Sequence, residues 1–547
     1  MNEEIFNEQY TAALSARDSI GVKTAAAGIA ALVTFILAMI SALPTIVNGI
    51  VGLIFAVALF LICLNEFSDG IVSAFRLQPS NDSLNAMAVV AAAIHSLYQI
   101  FAGQWAQTVS WVIYFSVFCS MLMKFLFVNE ILINLNIIKK GKMYEVSAER
   151  ITLTKRYVEQ VCMVNPVVHF PTVFDTSCDG DPSESKSKYF VPIAAGVALL
   201  ISLITIFIGG FGAFSLSLAA LFAIAASFTG ETSFVLPYIA TQRRLRKLGS
   251  ILLGYHSIDA LKDTENLIVT DTELFPPKRV FIDKFKFRNK MYMTEAIEYT
   301  AALLLKSDAP LKKAFMKMVS CPIDRLPPVD EWRYMRNYGI SAKIYGDDVL
   351  LGNRNLMLSY DISPLSQEAE ASMVTKNKNM LYLAVNGEIA AYVLFTYNCD
   401  PAMKRAAENV GEDFNLIVET NDCTITETMV QKRYDLQTTK IIVPDAEEVK
   451  LITEIRDSIA DGNNLPVMIT TKNSIGILSS VKQAKNLMSI IDLCILTKQA
   501  SVGFGLVLTA IALFLAQPYV TGIWLFIFNL LWTLPVAFLA FFGNRKQ

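Results

Sequence analysis

Two aspartates in the middle of this 547-residue sequence each follow a short apolar segment that could form a strand. The segment ENLIVTDTELF contains Asp271 after its apolar run, and NLIVET is followed closely by Asp422. Strand-like and helix-like segments alternate in this region, which predicts a parallel α/β sheet whose reactive groups lie at the carboxyl ends of the strands. Asp271 and Asp422 are therefore candidate catalytic residues. As an alternative, Asp422 could simply cap the helix predicted over TITETMVQKRY.

A further carboxylate stands inside a hydrophobic segment, LAALFAIAASFTGETSFVLPYIA, which contains Gly230, Glu231 and Pro237. A carboxylate at membrane depth is costly, and such residues usually face the interior of a helix bundle or an ion path. Pro237 lacks a backbone donor and frees carbonyls that could act as ligands. Glu231 and Pro237 are thus candidate ion-binding residues. The alternative is a protonated Glu231 that is hydrogen-bonded to a neighbouring helix.

The composition indicates a membrane protein. The chain is 53% hydrophobic and 18% charged, with a mean hydropathy of +0.43, whereas soluble proteins carry about 25% charged residues. A bilayer-spanning helix needs roughly 20 apolar residues. Eight segments satisfy this requirement: 24–43, 46–65, 86–102, 108–129, 189–209, 213–239, 502–517 and 520–542. We therefore expect the lipid bilayer as a partner; nucleic acid is excluded because no basic block is present.

The distribution of basic residues predicts the orientation. The segments pair into four hairpins through the short turns LPTIVNG, AGQWAQ, GGFGA and QPYVT, none of which contains Lys or Arg. The other side carries Arg76, Lys139, Lys140, Lys142, Arg243, Arg244, Arg246, Lys247, Arg545 and Lys546. Because basic residues favour the cytoplasmic side, both termini and both long loops are predicted to be cytoplasmic. We expect a multi-pass protein of a bacterial plasma membrane.

Five segments, in order and spacing, resemble P-type ATPases, with a helix layout closest to the heavy-metal-transporting branch. They are YFVPIAAGVALL at the fifth helix, GSILLGYHSIDALKDTENLIVTDTELF at the phosphorylated DKTGT motif, GISAKIYGDDVLLGNRNLM at the nucleotide-binding signature, VETNDCTIT at TGDN, and IIVPDAEEVKLITEI at the Pro-Glu-Asp-Lys segment. The resemblance gives Asp271 the position of the nucleophile. It also implies nucleotide-binding roles for Gly339, Gly352 and Asn353.

The resemblance implies a fold and a set of boundaries. The fold is a polytopic α-helical membrane protein of about eight helices, with a cytoplasmic α/β HAD-like phosphorylation domain and an inserted α+β nucleotide-binding domain. The expected boundaries are a four-helix membrane region at 1–130, a short loop with a reduced or absent actuator domain at 131–188, helices five and six at 189–240, the phosphorylation domain at 241–283 and 396–499, the nucleotide-binding domain at 284–395, and helices seven and eight at 500–547.

The chemistry of the family is largely missing. Asp271 is followed by Thr-Glu-Leu-Phe in place of Lys-Thr-Gly-Thr, which puts Glu273 beside an incoming triphosphate. The metal-holding GDGxND motif is replaced by MITTKNSIG, and Glu447 replaces the charge-neutralising lysine. In the nucleotide-binding domain, the adenine-contacting His-Pro becomes Ala309-Pro310. The TGES loop of an actuator domain and the Cys-Pro-Cys of heavy-metal pumps have no counterpart at the corresponding positions.

These departures leave three hypotheses. The first is a pseudo-ATPase with lost or weak phosphoryl transfer and a sensing or binding role. The second is a divergent ATP-driven cation pump. The third is a membrane HAD-type phosphatase that uses Asp271 with Glu273, since other enzymes of this fold carry an acidic residue two positions after the nucleophile. The resemblance implies ATP and Mg²⁺ as cofactors, and the departures imply weak binding or none. No metal site is predicted, because His95, His169 and His256 share no ligand spacing.

Overall fold

The computed structural model describes residues 3–40, 44–76, 79–102, 108–140, 143–154, 157–165, 188–288, 293–307, 309–319, 323–374, 378–460, 466–515 and 520–543. The first helices are α1 (Glu3–Met39), α2 (Thr45–Ile62), α3 (Leu64–Phe75), α4 (Asn81–Ala102), α5 (Ser110–Lys140), α6 (Phe190–Ala225) and α7 (Thr232–Leu248). Within the described residues, seven helices are long and apolar enough to cross a membrane: α1, α2, α4, α5, α6 and, near the end of the chain, Asn473–Leu515 and Gly522–Phe542.

Helix α6 contains two of the eight predicted segments. Gly209 and Gly210 have non-helical backbone angles, and the φ of Gly210 is 67°. Across them, the hydroxyls of Thr205 and Ser217 lie 2.8 Å apart, whereas twelve residues of straight helix would separate them by about 18 Å. The chain therefore reverses at the two glycines, and α6 forms two antiparallel arms. Helix α6 therefore accounts for the fifth predicted segment and the first part of the sixth, so seven long helices correspond to eight predicted segments.

The sixth segment is not one continuous helix, as the sequence analysis had assumed for 213–239. Helix α6 ends at Ala225, and α7 begins at Thr232 after a non-helical stretch. Neighbouring helices bind the released carbonyls: Ser116 donates to Ala226 O, and the Asn529 side chain donates to Ala223 O at 3.2 Å. These bonds satisfy carbonyl groups that the helix break frees. The break lies before Pro237, and Glu231 therefore stands at the start of α7.

The remaining elements form two sheets, with helices around them, and end in two membrane helices. The strands are β1 (Tyr144–Thr154), β2 (Tyr157–Asn165), β3 (Ser250–Leu252), β4 (Asn266–Thr270), β5 (Val280–Phe287), β6 (Asp330–Met335), β7 (Gly339–Ile344), β8 (Asp347–Gly352), β9 (Lys378–Val385), β10 (Glu388–Tyr397), β11 (Asn415–Glu419), β12 (Ile441–Ile442) and β13 (Met468–Thr470). The helices are α8 (Gly254–Lys262), α9 (Asp271–Leu274), α10 (Met293–Ser307), α11 (Leu311–Val319), α12 (Arg354–Ser359), α13 (Gln367–Met373), α14 (Pro401–Val410), α15 (Glu427–Tyr434), α16 (Ala446–Ala460), α17 (Asn473–Leu515) and α18 (Gly522–Phe542).

The first sheet has the strand order β12-β11-β4-β2-β1-β13-β3. Strands β12, β11, β4 and β2 run parallel, as the alternating pattern predicted, while the pairs β2-β1, β1-β13 and β13-β3 are antiparallel. The hairpin β1-β2 comes from the predicted loop at 131–188 and lies between β4 and β13. Residues 166–187 of that loop, which include His169, lie outside the described residues.

The second sheet is antiparallel throughout, with the order β5-β10-β9-β8-β7-β6. Its central hairpin, β9-β10, turns at Asn386 and Gly387. Both residues have positive φ, 49° and 83°, which is the conformation that Asn-Gly favours in a two-residue hairpin turn.

Helix α17 joins the first sheet to the membrane. Its 43 residues extend over about 65 Å at the rise of an α-helix. It begins three residues after β13 and continues into the membrane bundle, where Val502 and Leu506 are buried. A single helix therefore connects the edge of the sheet that carries the candidate catalytic residues with the membrane interior.

Candidate functional site

Asp271 lies at the carboxyl end of β4, as the first residue of the short helix α9. Its carboxylate is buried, with 6% exposure, and the hydroxyl of Thr420 donates to its Oδ2 atom at 2.7 Å. Burial raises the pKa of Asp271 to about 7; the hydrogen bond from Thr420 opposes this rise, and the nearby charge of Asp422 adds to it. Near neutral pH a large fraction of this carboxyl group is thus protonated, and a protonated carboxyl is a poor nucleophile.

Asp422 lies beside it, because β11 runs parallel to β4 with Glu419 opposite Thr270. The hydroxyl of Tyr397 donates to its Oδ2 atom, while the backbone N–H and the hydroxyl of Thr424 donate to Oδ1 at 2.8 and 2.7 Å. Burial raises the pKa of Asp422 as well.

The alternative role of Asp422 as the cap of α15 is wrong. Thr426 caps that helix instead, through a bond from Met429 N at 3.3 Å. Asp422 stands too early in the chain for this role, and its side chain closes the preceding turn by accepting from Thr424 N.

Glu273 is engaged in the structure of the loop. One of its oxygens accepts from the backbone N–H and from the hydroxyl of Thr270, both at 3.1 Å, and from the hydroxyl of Ser474 at 2.6 Å. The other oxygen is 3.4 Å from Ser474 N. Ser474 belongs to the first turn of α17, where a negative charge interacts favourably with the helix dipole. The Glu273 carboxylate therefore fastens the beginning of α17 to the loop after β4.

The residues around Asp271 do not fit a magnesium ion. Among the described residues there is no group of three or more His, Cys, Asp or Glu that could hold a metal, and no ion pair joins a Lys or Arg to Asp271 or Asp422. Mg²⁺ requires a near-octahedral set of oxygens, yet both oxygens of Asp422 already accept hydrogen bonds. Glu447, at the position of the family's lysine, lies in the first turn of α16.

The predicted nucleotide-binding residues Gly339, Gly352 and Asn353 have structural roles. Gly339 and Gly352 face each other across β7 and β8. A Cβ atom on Gly339 would lie 2.2 Å from Leu351 O, and one on Gly352 would lie 2.2 Å from Tyr338 O. The Asn353 side chain caps α12 by accepting from Asn355 N and Leu356 N. The close approach of β7 and β8 explains the two glycines, and the cap of α12 explains the asparagine.

The second sheet packs directly onto the candidate catalytic edge. Gly339, Tyr334 and Ala309 line a space that is closed on the other side by Asn421 and Asp422. This space measures about 20 Å³, which is room for about one water molecule. The guanidinium group of Arg336 donates to Val443 O and bridges the two sheets. A nucleotide does not fit between them in this arrangement.

Glu231 faces the interior of the membrane bundle. Its Oε1 atom accepts from the Asn81 amide at 3.4 Å, and the Lys498 ammonium group donates to Asn81 Oδ1. All three side chains are buried, and Lys498 is only 1% exposed. They line a cavity of about 10 Å³, large enough for about one water. Pro237 is buried further along α7 and is not among the residues that line this cavity.

Two ion pairs join other helices of the membrane bundle. Lys23 pairs with Glu66 at 2.5 Å, and Lys124 pairs with Asp82 at 2.5 Å. The sequence analysis missed these pairs and Lys498. Lys23 and Lys498 lie outside the predicted hydrophobic segments and Lys124 lies inside the fourth, and none of the three belongs to a motif. Only the contacts between helices show which carboxylate each lysine meets.

No protein-family model matches the chain. Among solved structures, it is similar to a zinc-transporting PIB-type ATPase in the E2.Pi state, with 11% identity and a TM-score of 0.48 over 95% of this chain and 99% of that chain. The resemblance is to P-type ATPases.

Two parts of such proteins match as well. The catalytic domain of the CPx-ATPase CopB-B is 15% identical, with a TM-score of 0.25 over 45% of this chain and 98% of that chain. The N-domain of HMA6, a copper-transporting P-type ATPase, is 16% identical, with a TM-score of 0.19 over 21% of this chain and 98% of that chain. These neighbours are of the kind that the sequence motifs indicate.

Proposed function

We propose that this chain is a membrane pseudo-ATPase, with the fold of a P-type ATPase and without effective phosphoryl transfer, which acts through binding or sensing. One observation carries the proposal: Asp271 and Asp422 are buried among hydroxyl groups. In phosphoryl transfer, cations must neutralise the charge of the transferred group. Thr420, Tyr397 and Thr424 donate hydrogen bonds but supply no positive charge.

The packing of the second sheet supports the same proposal. The glycines that the family uses to approach a nucleotide contact each other's strands, and the space facing Asp422 is about 20 Å³. Cofactor pockets are typically at least about 300 Å³. ATP would have to separate the two sheets and break the contact between Arg336 and Val443 O. We infer that ATP and Mg²⁺ bind weakly or not at all.

The test is ATP turnover by the purified full-length protein in lipid nanodiscs, with Asp271→Asn beside the wild type. We expect no Mg²⁺-dependent phosphate release above background, and no acid-stable incorporation of phosphate from ATP, in either protein. A matched control is Asp283→Asn, which removes an exposed carboxylate that also accepts from a threonine, Thr396, at 2.7 Å. Turnover that persists in Asp283→Asn and disappears in Asp271→Asn would refute the pseudo-ATPase proposal.

A cation pump is the second candidate, and the cavity at Glu231 is the observation that favours it. Glu231, Asn81 and the nearby Ser227 and Ser120 supply oxygen ligands, which suit a hard cation better than copper or zinc. Lys498 lines the same cavity, however, and its ammonium group already provides a positive charge. If the chain is a pump, ATP-dependent cation uptake into vesicles must occur and must be lost in Glu231→Gln.

The phosphatase hypothesis assigns proton donation to Glu273. That carboxylate already accepts hydrogen bonds from Thr270 and Ser474, which fasten it to the beginning of α17 and oppose a role as the proton donor to a substrate. Hydrolysis of p-nitrophenyl phosphate, measured on the same preparations, tests this hypothesis. We expect no activity that depends on Asp271 or Glu273.

A further inference from the structure

A cavity opens at the end of the second sheet that is remote from the candidate catalytic edge. Gly339, which lines the small space beside Asp422, begins β7, whereas Asp347, which lines this cavity, follows the other end of that strand. The two ends of β7 are about 17 Å apart at the rise of a β-strand. The cavity is therefore distinct from the site around Asp271, and what it binds does not depend on whether Asp271 transfers phosphate.

The cavity has the size of a ligand pocket. Its volume is about 610 Å³, and pockets for small molecules typically measure about 300–1,000 Å³ and combine an apolar surface with a few polar groups. The apolar part comes from side chains of α10, β9 and β10. The polar side chains among the described residues that line it are Arg288, Glu295, Asp347, Asn386 and Glu388. Three of them, Arg288, Asn386 and Glu388, are exposed, so the cavity is open to solvent.

One wall of the cavity is held by hydrogen bonds between its own side chains. Asp347 Oδ1 accepts from the Asn386 side-chain amide at 2.8 Å, and Oδ2 accepts from the hydroxyl of Tyr299 at 2.9 Å. Asn386 Oδ1 accepts in turn from Asp348 N at 3.0 Å. Tyr299 is buried, with 2% exposure. Asp347 and Asn386 thus fix the shape of this wall, and the recognition of a charged ligand is left to the other three polar side chains.

Those three side chains carry charges that the protein leaves without an ion pair. Arg288, Glu295 and Glu388 form no ion pair with another described residue. Arg288 follows β5, and its backbone N–H donates to Ala390 O at 2.9 Å, which places it beside the beginning of β10, where Glu388 stands. Glu295 comes from the first turn of α10. One guanidinium group and two carboxylates, from three different elements, therefore border the same space.

We propose that this cavity binds a basic amino acid, such as lysine or ornithine. The planar guanidinium group of Arg288 suits the carboxylate of the ligand, which it can hold through two parallel hydrogen bonds. Glu295 and Glu388 suit its two ammonium groups, and the apolar side chains of the cavity contact the methylene chain between them. A diamine would leave the guanidinium group without a partner, and a neutral amino acid would leave one carboxylate without a partner. A basic amino acid matches the three charges group for group.

Isothermal titration calorimetry of the full-length protein in lipid nanodiscs tests the class of ligand. We expect L-lysine and L-ornithine to bind. Norleucine has the chain of lysine without the second ammonium group, and cadaverine lacks the carboxylate. Each of these two should bind at least about tenfold more weakly than lysine, because it loses one charge-assisted contact. Absence of lysine and ornithine binding, or equal binding of cadaverine and lysine, overturns the proposal.

Variants of the charged side chains test the assigned contacts. Arg288→Gln and Glu388→Gln should each weaken lysine binding by at least about tenfold, and Arg288→Gln should leave cadaverine binding unchanged. Lys284→Gln and Asp283→Asn are the matched controls, since they remove exposed charges of both signs from β5 at residues that do not line the cavity. Melting curves without ligand show that each variant is folded. Equal lysine affinities of Arg288→Gln and Lys284→Gln would contradict the assigned site. The ATP experiments with Asp271→Asn are independent of this result, so either proposal can fail alone.

Discussion

The edge of the first sheet and the membrane bundle both bury carboxylates, but the charge of these carboxylates is compensated in different ways. At the sheet edge, Asp271 and Asp422 meet only hydroxyl and N–H donors, and burial raises the pKa of both. In the bundle, Glu66 and Asp82 each pair with a lysine, and Lys498 reaches Glu231 through Asn81. Burial without a paired cation therefore favours the protonated carboxyl in the first region, whereas lysine side chains balance the charge in the second.

This difference follows from what each region needs. In the apolar bundle, an unpaired carboxylate is costly, and a paired lysine offsets part of that cost. An active phosphoryl-transfer site requires the reverse, namely ionised carboxylates whose charge is balanced by a metal and a lysine. Among the described residues, the sheet edge has the carboxylates without a paired lysine or arginine. Loss of catalysis, rather than loss of folding, is the expected consequence.

Removing Lys498 should have the largest effect. In Lys498→Met the ammonium group that donates to Asn81 is lost, and the positive charge that still acts on Glu231 is that of Lys124, which already pairs with Asp82. Breaking a buried charge interaction in this way destabilises a protein by about 3–5 kcal/mol. The expected result is a large drop in the melting temperature of the full-length protein in detergent, measured by differential scanning fluorimetry.

Two further variants show whether charge is the cause of this drop. Lys498→Met combined with Glu231→Gln should recover a large part of the loss, because it removes both charges. Lys450→Met removes an exposed lysine that pairs with Glu454 at 3.8 Å, and its effect should be below about 1 kcal/mol. If the double variant is as unstable as Lys498→Met, the lysine does not neutralise Glu231.

Asp271→Asn should stabilise the protein at neutral and alkaline pH. The pKa of Asp271 is about 7 in the folded protein and near 4 in an unfolded chain. The folded state therefore holds a proton that the unfolded state releases, and stability falls as pH rises from about 4 to about 7. An asparagine removes this loss and can still accept from Thr420. We expect a gain on the order of 4 kcal/mol above pH 7, which disappears near pH 4.

Melting curves of Asp271→Asn and of the wild type between pH 4 and pH 8 measure this gain. Asp283→Asn, at an exposed carboxylate, should follow the wild type at every pH. A destabilised Asp271→Asn at pH 8 would mean that the carboxylate is balanced by a cation, and the contrast between the two regions would then fail.

The sequence predicted the elements better than the contacts between them. Apolar periodicity and segment length located the helices and the strands β4 and β11, because both signals come from residues near in sequence. The insertion of the hairpin β1-β2 between β4 and β13 was not predicted, since strand order depends on packing between distant segments. For the same reason, Asp271 and Asp422 could be proposed from the ends of strands, whereas their partners Thr420 and Tyr397 had no motif.

The smallest effect is expected from Tyr397→Phe. This variant tests how much the hydrogen bond to Asp422 stabilises a buried carboxylate that has no paired cation. The Tyr397 hydroxyl is buried and donates to Asp422, and the ring stacks on Phe275 with centroids 5.1 Å apart. Phenylalanine keeps the stacking and removes the donor, so the loss should be about 1–3 kcal/mol. The hydrogen bond lowers the pKa of Asp422 and so favours its ionised form. Its loss should therefore destabilise the protein more at pH 8 than at pH 5.

Tyr392→Phe is the matched control, since its hydroxyl on the same strand bonds only to Met373 Sδ at 3.6 Å. Equal destabilisation of Tyr397→Phe at both pH values would show that Asp422 stays protonated throughout, which extends the contrast with the lysine-balanced carboxylates of the membrane bundle.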